Sequence, residues 1–508
     1  MAALDNGIIT SSLTTLNRSF DVSATWGAWT ITIYTLGLSI SVPIIGKLSD
    51  RFGRRRLFLA EIALFGIGSL LVALSPSFIA FLAARFVQAM GGGGIFIIAS
   101  SYVLNTVRPE RQGRALGMLG GMNGIAAVLG PNIGSFILDI TGSWHWLFLI
   151  NVPIAILLFI LGWKHVHETQ KLEEAKIDFG GIVVMSAAIL LLMLAFTNLD
   201  GADLASSLLS VPFLAQAAGA IILLALLVWV EKRVIRRSNE PILPIGLLGR
   251  SAFRLTLLLS FFSGAILASV IFIPGYVEQF LNVSSAHAGY WFTPLALASG
   301  IGAGGGGALV DKKGPIFTMV TACVLGIAGF LLFPLWVETG WQMIAASCLV
   351  GLGFGIMLGA PINVLVTENA KDNKGIALAT SSLFRQMGMT LAPTIYAGFL
   401  ARSFAGMGET LTVNLAEADI AVPATAMEQS GKLTNAASLQ DALQYIPDAS
   451  VKEMIMNTLH KAVSSGYNGL FLSSMAVCCA TLLSVIWLGA VRRKERERTA
   501  AAAGRSVG

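Results

Sequence analysis

Charge is scarce in this chain. Of 508 residues only 12% are Asp, Glu, Lys or Arg, about half the share of a soluble globular protein, and that excludes a water-soluble fold. Cysteine is rare as well, with four in all. Cys323, Cys348, Cys478 and Cys479 lie inside apolar stretches with no metal-ligand spacing, where a thiol packs as a small apolar group; neither a disulfide framework nor a zinc site is indicated. Histidine numbers five, with no His-Glu-x-x-His pair and no Gly-x-Ser-x-Gly elbow, so the usual hydrolase signatures are missing. No Walker lysine follows the glycine clusters, and the Gly-x-Gly-x-x-Gly match at Gly300, Gly302 and Gly305 sits inside an apolar run. Nucleotide binding is rejected, and no metal or organic cofactor is expected.

Apolar residues, by contrast, make up 55% of the chain, and glycine reaches 54 residues. Disorder is thereby excluded, and close-packed membrane helices account for the glycine excess. The formal charge of +6 raises nucleic acid as a partner, but the basic residues fall between apolar blocks, so no nucleic acid is expected.

Runs of about 17 to 25 apolar residues, long enough to cross a hydrocarbon core of about 30 Å, recur throughout. Fourteen are read, at 1–17, 26–46, 57–75, 77–103, 112–138, 144–164, 179–198, 208–230, 253–275, 288–309, 315–335, 341–366, 375–400 and 467–491. They are called the first to fourteenth spans below. With the N-terminus inside, most of the 34 Lys and Arg residues fall on cytoplasmic loops and in the basic tail, as the positive-inside rule requires. Arg85 and Arg385 are left within spans. Asp5 comes so early in the short first span that this helix is expected to be truncated, with Met1 as an internal methionine of a longer chain; a stunted first helix is the other reading.

An internal repeat divides the chain. The stretch 46–56, GKLSDRFGRRR, has an echo in GALVDKKGP from Gly307, and the stretch from Gly113 has an echo from Gly375. Parallel repeats of this kind are a transporter architecture with the site between the halves. The expected fold is an all-α polytopic membrane protein of two six-helix bundles and two added helices. Its parts are an N-terminal bundle (1–164), a cytoplasmic linker (165–178), the two added helices (179–230), a second cytoplasmic linker (231–252), a C-terminal bundle (253–491) and a basic cytoplasmic tail (492–508). The C-terminal bundle includes an external segment, 401–466, in which Val451, Ile455 and Leu459 recur at helical spacing. That segment reads as a surface cap or as a lid over an exit path.

The repeat and its motifs resemble the major facilitator superfamily, and the span count resembles its fourteen-helix drug:proton antiporter family. Gly46, Asp50, Arg51, Gly53, Arg54 and Arg55, with the second-half echo at Gly307 and Asp311, match the family's loop signature; the resemblance implies a cytoplasmic latch that gates the outward-open state. Gly120, Gly121, Gly124, Gly130 and Pro131 resemble the antiporter motif, placed by the family at the interface of the halves, with Asn132 and Ser135 as departures. RFVQAMGGGG from Arg85 resembles the family's Arg-x-x-Gln-Gly element, with Ala89 in place of glycine. The tetraglycine reads as a packing surface.

ALDNGIITSSL from Ala3 resembles the family's first-helix motif, which places an acid in the membrane. A carboxyl group taken out of water favours its neutral form, so Asp5 is the leading proton-coupling residue; a terminal interfacial acid is the alternative. Arg85 is costly in hydrocarbon and requires a partner; it serves as a hydrogen-bonding post or as a charge tuning a nearby carboxylate. Trp29, Tyr34, Gln88, Asn123, Asn363, Arg385 and Gln386 are candidates for a substrate cavity. Glu61 and Glu278 read as interfacial acids.

The resemblance implies a monomeric proton-coupled exporter of lipophilic or cationic drugs in a bacterial plasma membrane, with both termini cytoplasmic. Its partners are a small-molecule substrate, protons and the lipid bilayer, and its energy source is the proton gradient. A specific metabolite, lipid or osmolyte transporter is the alternative, and a non-transporting membrane sensor a more distant one.

Overall fold

In lipid a chain has no water for its N–H and C=O groups, so each apolar run must satisfy them internally as a helix. The computed structural model obeys this. It describes residues 2–505 apart from 23, 28, 169–178, 237–244, 282, 284–288, 369, 371–373 and 418–448, and among the described residues there are helices and no strands. Among the described residues, twelve helices are long and apolar enough to cross a membrane. They correspond to all the expected spans except the first and thirteenth. Those two are also helical, as Ala2–Ser19 and Lys374–Glu417, but do not number among the twelve.

Several spans differ in form from simple rods. The fourth is two helices, Phe78–Gly92 and Ile95–Thr106, and the twelfth is Gly340–Gly359 followed by Pro361–Thr367. The fifth stays one helix, Pro109–Thr141, in spite of Pro131. Lys374–Glu417 has 44 residues and Ala449–Arg505 has 57. At 1.5 Å per residue these are about 66 and 86 Å long, well beyond a hydrocarbon core of about 30 Å. Much of the expected external segment is therefore a continuation of two spans. Ile455 and Leu459 pack on the C-terminal core; the linker residues 169–178 and 237–244 and the stretch 418–448 lie outside the described residues.

Apolar packing shows where the halves meet. One core, around Ile8, Phe81, Trp144 and Phe148, belongs to the N-terminal half, and a larger one, around Phe330, Phe333, Tyr467 and Phe471, to the C-terminal half. A third joins them: Val42, Ile97 and Leu116 pack with Leu257, Val310 and Leu378. The added helices pack Met185, Ile189, Met193 and Leu227 against Leu36 of the second span, with Leu383 and Met387 of the thirteenth alongside. They therefore lie over one side of the seam. All four cysteines are free.

Candidate functional site

The buried charge in the N-terminal half is held by four spans. Asp5, Ser69, Arg85, Gln88 and Asn151 have no solvent exposure. Arg85 Nη1 donates to Asp5 Oδ2 at 2.5 Å and to Gln88 Oε1 at 2.6 Å. Gln88 Nε2 donates to Asp5 Oδ1 at 2.9 Å and to Ser69 Oγ at 2.8 Å, while Asn151 Nδ2 donates to Asp5 Oδ1 at 3.1 Å. The spacing of Arg85 and Gln88 puts both on one helix face. The guanidinium lies over the Tyr34 ring at 4.1 Å and near Phe148 at 5.5 Å, a cation–π arrangement that favours the charge away from water. Arg85 Nε and Nη2 have no hydrogen-bond partner among the described residues. Arg85 is about 10 Å along its helix from Phe78, so this ion pair lies within the span and not at its end.

Asp5, Arg85, Gln88 and Tyr34 were legible as candidates, and the fold brings them together. Ser69 and Asn151 were missed. A serine in an apolar helix carries no signal of its own; Asn151, a lone amide early in the sixth span, was a weak one.

Glu61 does not lie at an interface. It is 3% exposed, and its Oε2 accepts from the Gly94 backbone N–H at 2.9 Å. Gly94 precedes the helix Ile95–Thr106, so the carboxylate caps the second half of the broken fourth span. The tetraglycine is a packing surface as read: Gly91 abuts the third span at Phe65, and Gly93 abuts Ser41. It is also the place where the fourth span breaks. Glu278 is half-buried.

The loop signature and its echo close one end of the bundle, here termed the motif end. Gly53 has φ of 90°, a left-handed conformation that glycine adopts without penalty, and it turns the chain between the second and third spans. Arg54 Nε donates to Ser101 Oγ at 2.9 Å, and Glu168 Oε1 accepts from the Arg55 N–H at 3.2 Å. The side chains of Asp50 and Arg51 lie outside the described residues. Asp311 accepts from the backbone N–H of Gly113 at 2.8 Å and of Arg114 at 2.9 Å, which ties the tenth span to the start of the fifth. Gly307 abuts Gly113 directly. Gly46 touches Gly375 and Ala379 of the thirteenth span so closely that a Cβ there would clash, and Lys374 Nζ donates to the Leu104 carbonyl at 2.9 Å. In this conformation the halves are shut against each other at the motif end.

The antiporter-like glycines continue that seam. Gly121 lies against Gly300 and Ala303, Gly124 against Ser299, and Gly130 against Gly7 of the first helix; Pro131 is half-buried. Asn363 and Arg385 line one small cavity between the halves. Gln386 is half-buried, Asn123 is exposed, and Trp29 is 38% exposed at the start of its helix; these three do not join either cluster.

Comparison with known proteins agrees with this architecture. The Major Facilitator Superfamily model matches residues 1–393. An uncharacterized MFS-type transporter of Bacillus subtilis, YfiU, is 53% identical over 98% of this chain and 96% of its own length. Multidrug resistance protein 3 of the same organism is 29% identical over 97% of this chain and 94% of its own. Among solved structures, the human organic anion transporter MFSD10 aligns over 94% of this chain and 96% of its own with a TM-score of 0.54 at 15% identity, a likeness of fold alone. The protein is thus a multi-pass membrane transporter of a small-molecule substrate and not an enzyme. The chain belongs to the Major Facilitator Superfamily.

Proposed function

We propose that the protein is a proton-coupled secondary exporter of lipophilic drug-like compounds, working by alternating access in a bacterial plasma membrane. The observation that carries this reading is the solvent-free Asp5–Arg85 pair within the bundle. A proton reaching Asp5 cancels its charge and leaves Arg85 buried without its counter-ion, a state that costs about 3 to 5 kcal/mol. The bundle escapes that cost by rearranging, and substrate binding is linked to the same rearrangement. A membrane potential supplies about 2.3 kcal/mol per charge per 100 mV, of the right size to drive one cycle.

Fourteen spans, both termini on the cytoplasmic side, belong to the same reading. In its support, the first helix is packed into the N-terminal half through Gly7 and Gly130, and the thirteenth into the C-terminal half through Gly388 and Phe261. The basic loop at the motif end is cytoplasmic by the positive-inside rule, so the described conformation is closed to the cytoplasm.

The test is substrate-induced proton movement in vesicles containing the purified protein, with several chemically unlike lipophilic compounds. Coupled movement with more than one of them, lost in Asp5→Asn, is the expected result. Undiminished coupling in Asp5→Asn removes Asp5 from the mechanism, and a response to a single polar metabolite replaces multidrug export with specific transport.

A further inference from the structure

A second arginine within an apolar span, Arg385, is half-buried and lacks what Arg85 has. Arg85 faces a carboxylate; Arg385, about 16 Å along its helix from Lys374 and so about halfway through a 30 Å core, faces none among the described residues. Among the described residues its guanidinium donates to Ser382 Oγ at 3.2 Å and stands 5.8 Å from the Phe96 ring. The cavity it lines lies between the two halves, bounded by Phe96 and Ser100 on one side and by Asn363, Ser381 and Ser382 on the other, with no acidic residue in its lining.

Two more groups there are donors without acceptors. Ser100 is fully buried and Asn363 is 7% exposed, and among the described residues neither Ser100 Oγ nor Asn363 Nδ2 has a hydrogen-bond partner. Ser381 is already engaged, sharing a hydrogen bond with Ser260 at 2.7 Å. Phe96 and Ile97 in the first turn of Ile95–Thr106 line the same cavity; the Gly94 amide at the start of that half-helix is taken by Glu61, so the donors that face the cavity are side chains. Buried amide and hydroxyl donors left unpaired are costly unless an acceptor arrives, and the half-buried guanidinium beside them has no carboxylate in the cavity lining. A planar guanidinium matches carboxylate and phosphoryl oxygens.

We propose that Arg385, Asn363 and Ser100 form the anchor for a carboxylate or phosphoryl group on the cargo, so that lipophilic acids are carried in preference to lipophilic cations. The proposal rests on the transport reading above and deepens it by naming the chemical class. It narrows the lipophilic or cationic cargo expected from sequence, since the charged group lining this cavity is itself a cation and repels another. The cavity is small in the closed conformation, about 10 Å³, room for about one water. The anion therefore enters when the halves part, and its charge helps draw the two walls together.

The test is equilibrium binding to the full chain in phosphatidylcholine nanodiscs, without any gradient. The probe pair is 11-(dansylamino)undecanoic acid and its primary amide, followed by dansyl fluorescence after subtraction of empty nanodiscs. We expect the acid to bind at least tenfold more tightly than the amide, this preference to vanish in Arg385→Gln, to persist in weakened form in Arg385→Lys, and to fall several-fold in Asn363→Ala. Equal binding of acid and amide, no saturable binding of the acid, or a preference that survives Arg385→Gln overturns the proposal. Phosphatidylglycerol in the nanodisc that abolishes dye binding assigns the donors to a lipid headgroup and overturns it as well. Arg385→Lys keeps the charge and guards against misfolding as the cause. Because no proton gradient is involved, loss of the acid preference in the unmodified protein counts against this anchor alone, whereas an intact preference without substrate-induced proton movement counts against the coupling, so the two failures are told apart.

Discussion

Asp5 and Arg85, eighty residues apart in sequence, meet at 2.5 Å with neither side chain reached by solvent. Each is the other's counter-ion, so changing one alone affects stability as well as transport. Asp5→Asn is expected to lose coupled transport and also to lower the melting temperature, since it strands a buried guanidinium at a cost of about 3 to 5 kcal/mol. The charge-balanced Asp5→Asn/Arg85→Gln variant should regain much of that stability, read by thermal unfolding in detergent, and still carry no proton. If the double variant restores coupled transport, the pair is only structural.

Asp311 holds two backbone amides of the opposite half. Its charge-assisted bonds to Gly113 and Arg114 are each worth about 1.5 to 3 kcal/mol at most. Asp311→Ala should therefore shift the equilibrium toward a bundle open at the motif end by roughly tenfold or more. Hydrogen–deuterium exchange at residues 113 and 114 checks it: exchange should accelerate there while the far end is unchanged.

Gly46 sits where backbone meets backbone across the seam. A side chain at this position collides with Gly375 and Ala379, so Gly46→Leu should block closure at the motif end while leaving each half folded. We expect normal expression, a transport rate reduced at least tenfold, and persistent labelling of a cysteine placed at Ala379. Unlabelled Ala379→Cys in the Gly46→Leu background would contradict the close approach.

Glu61 caps a half-helix through one oxygen. Glu61→Gln keeps an acceptor for the Gly94 N–H and should be tolerated, whereas Glu61→Leu leaves that buried donor unpaired at a cost of about 1 to 3 kcal/mol. Thermal unfolding separates the two; equal melting temperatures for Gln and Leu would remove the capping role.

Much of the fold was legible because hydrocarbon leaves the chain little choice: a long apolar run must be a helix, and the repeat fixes how the helices are grouped. Asp5 and Arg85 stood out because charges in apolar runs are expensive and seek each other. Glu61 was misplaced for a related reason. It follows an arginine-rich loop by less than three turns, which suggested an interface, but the fourth span breaks beside it and supplies a backbone amide in place of water. That break is hard to foresee, since a glycine run packs equally well in an intact helix. Asn363 and Arg385 stood out as polar residues within spans, whereas Ser100 gave no usable signal, because a serine in a helix commonly bonds to the preceding turn and only the folded structure shows that this one does not.

The unbroken helix Ala449–Arg505 makes a long pointer fixed to the C-terminal half. About 86 Å of rod at 1.5 Å per residue turns a tilt of about ten degrees into a sweep of about 15 Å between its tips. Spectroscopic labels near Lys461 and Lys494, about 50 Å apart along it, would turn the same tilt into a relative displacement of about 9 Å, large enough to follow in real time.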